Sequence, residues 1–501
     1  SVPSTSITMT GGTVKNILGG NLGQENADQN GCSSVTGDVN ISITGGSVTN
    51  LIYGGGENNT CVNGTVAITL KNVVLGENCY VNGGVLGHGT EGDRNIEAGT
   101  MTTYAVVNKV IINATNSTAC VLGGGGSGST KVQEAIVTLN GCTVDYLYAS
   151  GINGEMEKSS LKATGCKVTK ELAATNRGFI KTADVTLEDC EISQLMTGAT
   201  TGCFETDSGK PDGSGITGSI VWKIDEQTRV TTARLTPLAK RDTNDQTTAT
   251  LDNITIEKSG DPLEISVDEF EPHSNASVNT FLVSETGTLT LNNVKTTIAD
   301  GNTLTNAGTI EMDETSILTV DSGATLGQAG TVNGGTVAGA GAITKYVARV
   351  GNTGYESLEA ALDAVKASGG TIPLLQNATL DNANYTISKP VTIQGAGTID
   401  ATVADGASTI GFRINDDASL TLDGVTMNIK GTTADSSEEG NDGTAIELQN
   451  GGSLLVKNGA SLNLTNLNRG MIMTGTPAPV KTAVSVEDAT LTAKGIDGNF
   501  S

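Results

Sequence analysis

Seven times within the first 192 residues, a short alternating run presents apolar side chains at the same relative positions. The leading position is Ile7, Ile41, Ile68, Val110, Val137, Leu161 and Val185. Two residues on come Met9, Ile43, Leu70, Ile112, Leu139, Ala163 and Leu187. Three further lie Gly12, Gly46, Val73, Thr115, Cys142, Cys166 and Cys190, and two beyond those Val14, Val48, Leu75, Ser117, Val144, Val168 and Ile192. The intervals between successive leading positions are 34, 27, 42, 27, 24 and 24 residues. A fixed internal pattern with variable intervals requires repeated structural units with insertions between them. The period inside each unit is two, so the units are made of strands.

A unit of about 24 residues with three short strands suits one turn of a right-handed parallel β-helix, in which each strand pairs with the strand one coil away. The fold class is therefore all-β, a solenoid. Gly54, Gly55 and Gly56 in "IYGGGEN" read as corner residues with φ > 0. A phosphate cradle is disfavoured, because no Lys-Ser/Thr and no helix follows them. Three segments are expected. Residues 1–216 form a β-helix with Gly-rich turns and aligned insertions, 217–345 a less regular continuation, and 346–501 a second β-helix. The one helical pattern, near 356–368, places Leu358, Ala361, Leu362 and Val365 on one face, with Ser357 as its cap and Gly369 and Gly370 at its end. It would cover the open first coil of the second β-helix. Trp222, the single tryptophan, reads as a core filler.

The formal net charge of −25 repels phosphate backbones and anionic lipid, so nucleic-acid binding is not expected. No apolar run approaches the ~18 residues of a membrane span, so no membrane insertion is expected. Both ends stop within strand-like sequence, so the chain reads as a piece of something longer.

Of the eight cysteines, Cys142, Cys166 and Cys190 share one column of adjacent coils. Neighbouring strands are about 4.8 Å apart, whereas a disulfide prefers a Cβ separation of about 3.8 Å. These three read as a buried thiol ladder. Cys32 and Cys61 lie in loops leading into successive coils and are the candidate disulfide. With only His88 and His273 and no CxxC, no zinc site is expected.

The runs "TMTGGTVKNILGG", "SITGGSVTNLIYGGG", "LTLNN", "LTVDSGATL" and "GGTIPLLQNATL…ISKPVTIQG" resemble bacterial right-handed β-helix surface proteins with pectate-lyase-like coils and adhesin-type repeats. That resemblance implies an extracellular, cell-surface location and dealings with carbohydrate; it does not choose between adhesin and enzyme. β-Helix polygalacturonases resemble one another in an Asn-Thr-Asp strand, an Asp-Asp pair, Gly-His-Gly and Arg-Ile-Lys. Here "GHG" at 87–89 and the pair Asp416 and Asp417 occur in reverse order in different segments, and the other elements are missing. Both read as coincidence.

A glycosidase needs two carboxylates. The candidate catalytic residues are Glu205 and Asp207 in "FETDSGKPDG", with Glu438, Glu439 and Asp442 in "SSEEGNDG". Glu91, Asp93 and Arg94 in "GHGTEGDRN" are binding candidates. The bland alternative for each is a solvated acidic loop. No cofactor is expected; weak calcium binding is the one ion chemistry such loops allow. The first expectation is an adhesin-like segment that binds glycan or glycoprotein, or serves as a rigid spacer, without catalysis. The second is a glycoside hydrolase or polysaccharide lyase using loop carboxylates.

Overall fold

The structure is a computed structural model. It describes residues 1–501 except 21–32, 58–59, 87–104, 127–129, 152–154, 177–178, 201–217, 239–247, 270–277, 407, 433–442, 476–483 and 497–501. Contacts divide it into two compact units, one running essentially to Ile343 and the other essentially from Thr344. Each is built from stacked parallel strands, the architecture of a solenoid.

In the first unit, one inward column runs unbroken through eleven rungs: Ile7, Ile41, Ile68, Ile112, Val137, Leu161, Val185, Trp222, Ile256, Leu291 and Met312. The β-branched and leucine side chains fill the interior, each contributing roughly 1.5–3 kcal/mol on full burial. Trp222 is completely buried, and its indole Nε1–H donates to the Thr197 carbonyl at 3.0 Å. In the fourth repeat the rung is formed by Ile112; Val110 pairs instead with Val66 and Ala135. A two-residue slip leaves every side chain on its original face, so the apolar pattern alone cannot detect it. The early coils use two main strands, such as Thr130–Asn140 and Thr143–Tyr148, while among the described residues a third stack begins at Thr248–Thr250.

The corner between the two early stacks has a repeated solution. A left-handed residue, Asn72, Asn116, Gly141, Gly165 or Asp189, with φ between 47° and 60°, reverses the chain. The residue after it turns inward, giving Val73, Ser117, Cys142, Cys166 and Cys190, a column that Thr228 continues in the next rung. The Cys142 amide N–H donates to Cys166 Sγ at 3.4 Å. In the same way Val73 N–H donates to Ser117 Oγ at 3.2 Å, and Cys190 N–H to Thr228 Oγ1 at 3.1 Å. Hydroxyl and thiol side chains thus satisfy corner amides that the strand ladder leaves over. The three cysteines are buried, as the column predicts.

The glycine run has a different cause from the expected one. Gly56 has φ +95°, but Gly54 and Gly55 do not have positive φ. Instead a Cβ on Gly54 would strike Val66 Cγ1 and lie 2.7 Å from the Gly83 carbonyl oxygen. Gly83 repeats this against Val110, and Gly124 against Ala135. These glycines let one wall of the coil close on the facing strand.

The second unit has three parallel stacks, led by Gly370–Pro373, Ala378–Leu380 and Tyr385–Ile387. Its helix spans Leu358–Val365. Ser357 Oγ accepts the Ala360 N–H at 3.2 Å, and Gly369, at φ +73°, donates its N–H to the Val365 carbonyl. Leu358, Ala361, Leu362 and Val365 are buried against the first strands of two stacks. Asp416 and Asp417, at φ 50° and 60°, form a turn in which the Ala418 N–H bonds the Asn415 carbonyl. Their pairing is corner geometry.

Candidate functional site

Period-two alternation also builds an outer face. Ile52, Val81, Leu122, Leu147 and Leu172 point into the main core of the first unit. Their immediate neighbours point outward in two adjacent columns. The first contains Leu51, Tyr80, Val121, Tyr146 and Glu171, paired rung to rung. The second contains Tyr53, Asn82, Gly123, Tyr148, Ala173 and Met196. Four of the chain's eight tyrosines therefore fall in these two columns, in a protein that is only 3% aromatic.

The first column reaches solvent, with Tyr80 39% exposed. The second is enclosed: Tyr148, Ala173 and Met196, together with Val121 of the first column, form a hydrophobic cluster separate from the main core. The Tyr146 and Tyr148 rings stack at 6.5 Å between centroids. Lys170 Nζ lies 5.0 Å from the Tyr146 centroid and 3.2 Å from Asp145 Oδ2. Thr169 Oγ1 also donates to Asp145, and these contacts hold the Asp145 carboxyl below the usual range. Glu171 behaves oppositely, because burial beside the rings raises the proton affinity of its carboxyl. Tyr148 donates to Glu171 Oε1 at 3.5 Å and accepts from Asn176 Nδ2 at 3.3 Å. Burial pushes the Tyr148 phenol up, so it stays protonated. Asn82 is fully buried, and neither polar atom of its amide has a hydrogen-bond partner.

The result is an aromatic strip edged by a carboxylate, an amide and an ammonium. Such a surface stacks on an apolar face of a ligand and hydrogen-bonds its rim. Among the described residues, no group of three or more His, Cys, Asp or Glu side chains is arranged to hold a metal ion.

None of the candidates read from sequence is among these residues. Glu91, Asp93, Arg94, Glu205, Asp207, Glu438, Glu439, Asp442 and Cys32 lie outside the described residues, as do His88 and His273. Cys61 is on the strand Thr60–Lys71, paired with Ser34. Five of the early strands end in register, at Leu18, Tyr53, Asn82, Gly123 and Tyr148, while two later ones run past that station to Thr175 and Ala199. The sequence signal for that strip was the outward spacing of the tyrosines in "CYVN" and "DYLY", legible only once the rungs are in register.

No protein family matches the chain, and no curated protein matches it. Among solved structures, the Tapirin C-terminal domain of Caldicellulosiruptor kristjanssonii is similar at 10% sequence identity, over 89% of this chain and 90% of that chain, with a TM-score of 0.14.

Proposed function

We propose that the chain is a secreted or cell-surface solenoid, wound right-handed, that binds glycan or glycoprotein without catalysis. Right-handed winding is the general rule for parallel strands joined by crossovers. The observation that carries the binding reading is the outward pair Tyr80 and Tyr146, backed by the enclosed Tyr148 and edged by Asp145, Glu171 and Asn176. Tyrosine on a flat, rigid sheet offers contact area at little entropic cost. The acidic surface supports carbohydrate over nucleic acid as a partner. No described helix is long and apolar enough to cross a membrane.

A glycan array probed with the intact chain and with Tyr80→Ala tests this reading. Binding that Tyr80→Ala removes, with the fold retained by circular dichroism, supports it. Binding to no glycan, or binding indifferent to the substitution, overturns it.

One observation favours the second reading, a glycoside hydrolase. Among the described residues, Glu171 is the carboxyl whose proton affinity is raised, the state that a general acid needs. Release of reducing sugar that is abolished in Glu171→Gln would establish that activity.

A further inference from the structure

The outer strip also constrains what kind of glycan fits, an inference that rests on the glycan-binding reading. Tyr80 and Tyr146 occupy the same column with Val121 between them. They are two rungs apart, or about 9.6 Å along the stacking direction. Leu51 precedes Tyr80 by one rung, so an apolar line runs along the stack of rungs, not along a strand. A ligand covering it must be elongated in that direction. In an extended β-linked pyranose chain, each residue is flipped relative to the last. Alternate residues present the same face, separated by close to two rung spacings.

The strip offers a charged ligand little free charge. Asp145 is paired with Lys170, and Glu171 is largely withdrawn from water beside Tyr148. The whole chain carries −25, which repels a polyanion. We infer that the ligand is a neutral, unbranched, β-linked glycan laid across successive rungs, with one sugar on Tyr80 and the next but one on Tyr146. Lys170 lies over Tyr146 but is half exposed and is held there by a surface ion pair with Asp145, a weak contact in water. Its ammonium swings aside to the sugar hydroxyls as the ring is covered.

Calorimetric titration of the intact chain tests this, using β-1,4-linked xylo- and manno-oligosaccharides of two to six residues, with oligogalacturonates and malto-oligosaccharides of equal length. Affinity for the neutral β-linked series is expected to rise about tenfold once the chain is long enough to bridge both rings, as a second stacking contact of roughly 1.4 kcal/mol would give. Tyr80→Ala and Tyr146→Ala should each abolish that step, while Tyr146→Phe keeps it. Oligogalacturonates should bind at least tenfold more weakly.

Equal or tighter binding of oligogalacturonates or malto-oligosaccharides, or a neutral series with no length step, overturns the inference. If that binding still depends on Tyr80, the glycan reading itself stands. Binding of no oligosaccharide in any series overturns both.

Discussion

The amide N–H of Cys142 donates to Cys166 Sγ in the next rung, 3.4 Å away. Ser117 and Thr228 make the same bond with hydroxyl oxygens at the two ends of this column. From Ser117 to Thr228 the station therefore holds small side chains with an acceptor, and sulfur is one solution. Cys166→Ser should remain within about 1 kcal/mol of the parent in urea denaturation. Cys166→Val, similar in shape but without an acceptor, should cost roughly 1–3 kcal/mol by orphaning the Cys142 amide. The neighbouring Cys142 and Cys190 thiols, together with burial, keep the Cys166 thiol protonated. It should resist alkylation in the native protein. Equal stabilities for the two variants would show that packing alone decides this position.

Gly54 tests the explanation given for the glycine run. Its missing Cβ faces Val66 Cγ1 and the Gly83 carbonyl of the next rung, with no slack in either. Gly54→Ala should cost several kcal/mol, by the overpacking that close-fitted interiors show. Gly11 is a matched control, because a Cβ there meets nothing within 4 Å. Gly11→Ala should leave the denaturation midpoint within experimental error. A mild Gly54→Ala phenotype would mean that corner conformation, not close approach, fixes that glycine.

These two positions show how far residues alone could be read. Column arithmetic found the strands, the stacking and the thiol ladder, because period-two alternation and burial are written directly into side-chain type. It placed Val110 two residues out of step because both registers bury the same face. It explained Gly54 by backbone freedom because the facing Val66 is twelve residues away, across the interior of the coil. The aromatic strip stayed hidden for a related reason. Tyr80 and Tyr146 are 66 residues apart in sequence, and the insertions between them obscure that only two rungs separate them.

Glu171 gives the strip a pH signature. Its folded-state proton affinity is raised, chiefly by burial. A carboxyl whose folded pKa exceeds its unfolded value contributes stability that is present below the unfolded pKa and lost as pH rises through the folded pKa. At neutral pH the ionised Glu171 is thus a liability. Glu171→Gln should raise the unfolding temperature at pH 7–8, and its advantage should vanish near pH 4. A constant difference across that range would mean that the side chain reaches water more freely than its setting beside Tyr148 indicates.

The N-cap of the helix Leu358–Val365 supplies the last prediction. Ser357 Oγ accepts the Ala360 N–H, one of the amides that the first helical turn cannot bond internally. The helix has only eight residues, too few to persist without tertiary packing. It nevertheless covers edge strands whose Ile372 and Leu380 are buried in the second unit's core. Cap loss should therefore be felt beyond the helix. Ser357→Ala should cost about 1 kcal/mol, and Ser357→Asp should retain most of the parental stability, since a carboxylate caps and also favours the positive end of the helix dipole. Hydrogen exchange should quicken first at the amides of Gly370–Pro373 and Ala378–Leu380. If protection there is unchanged while the helix alone frays, the helix is an ornament on an already stable stack and not its cover.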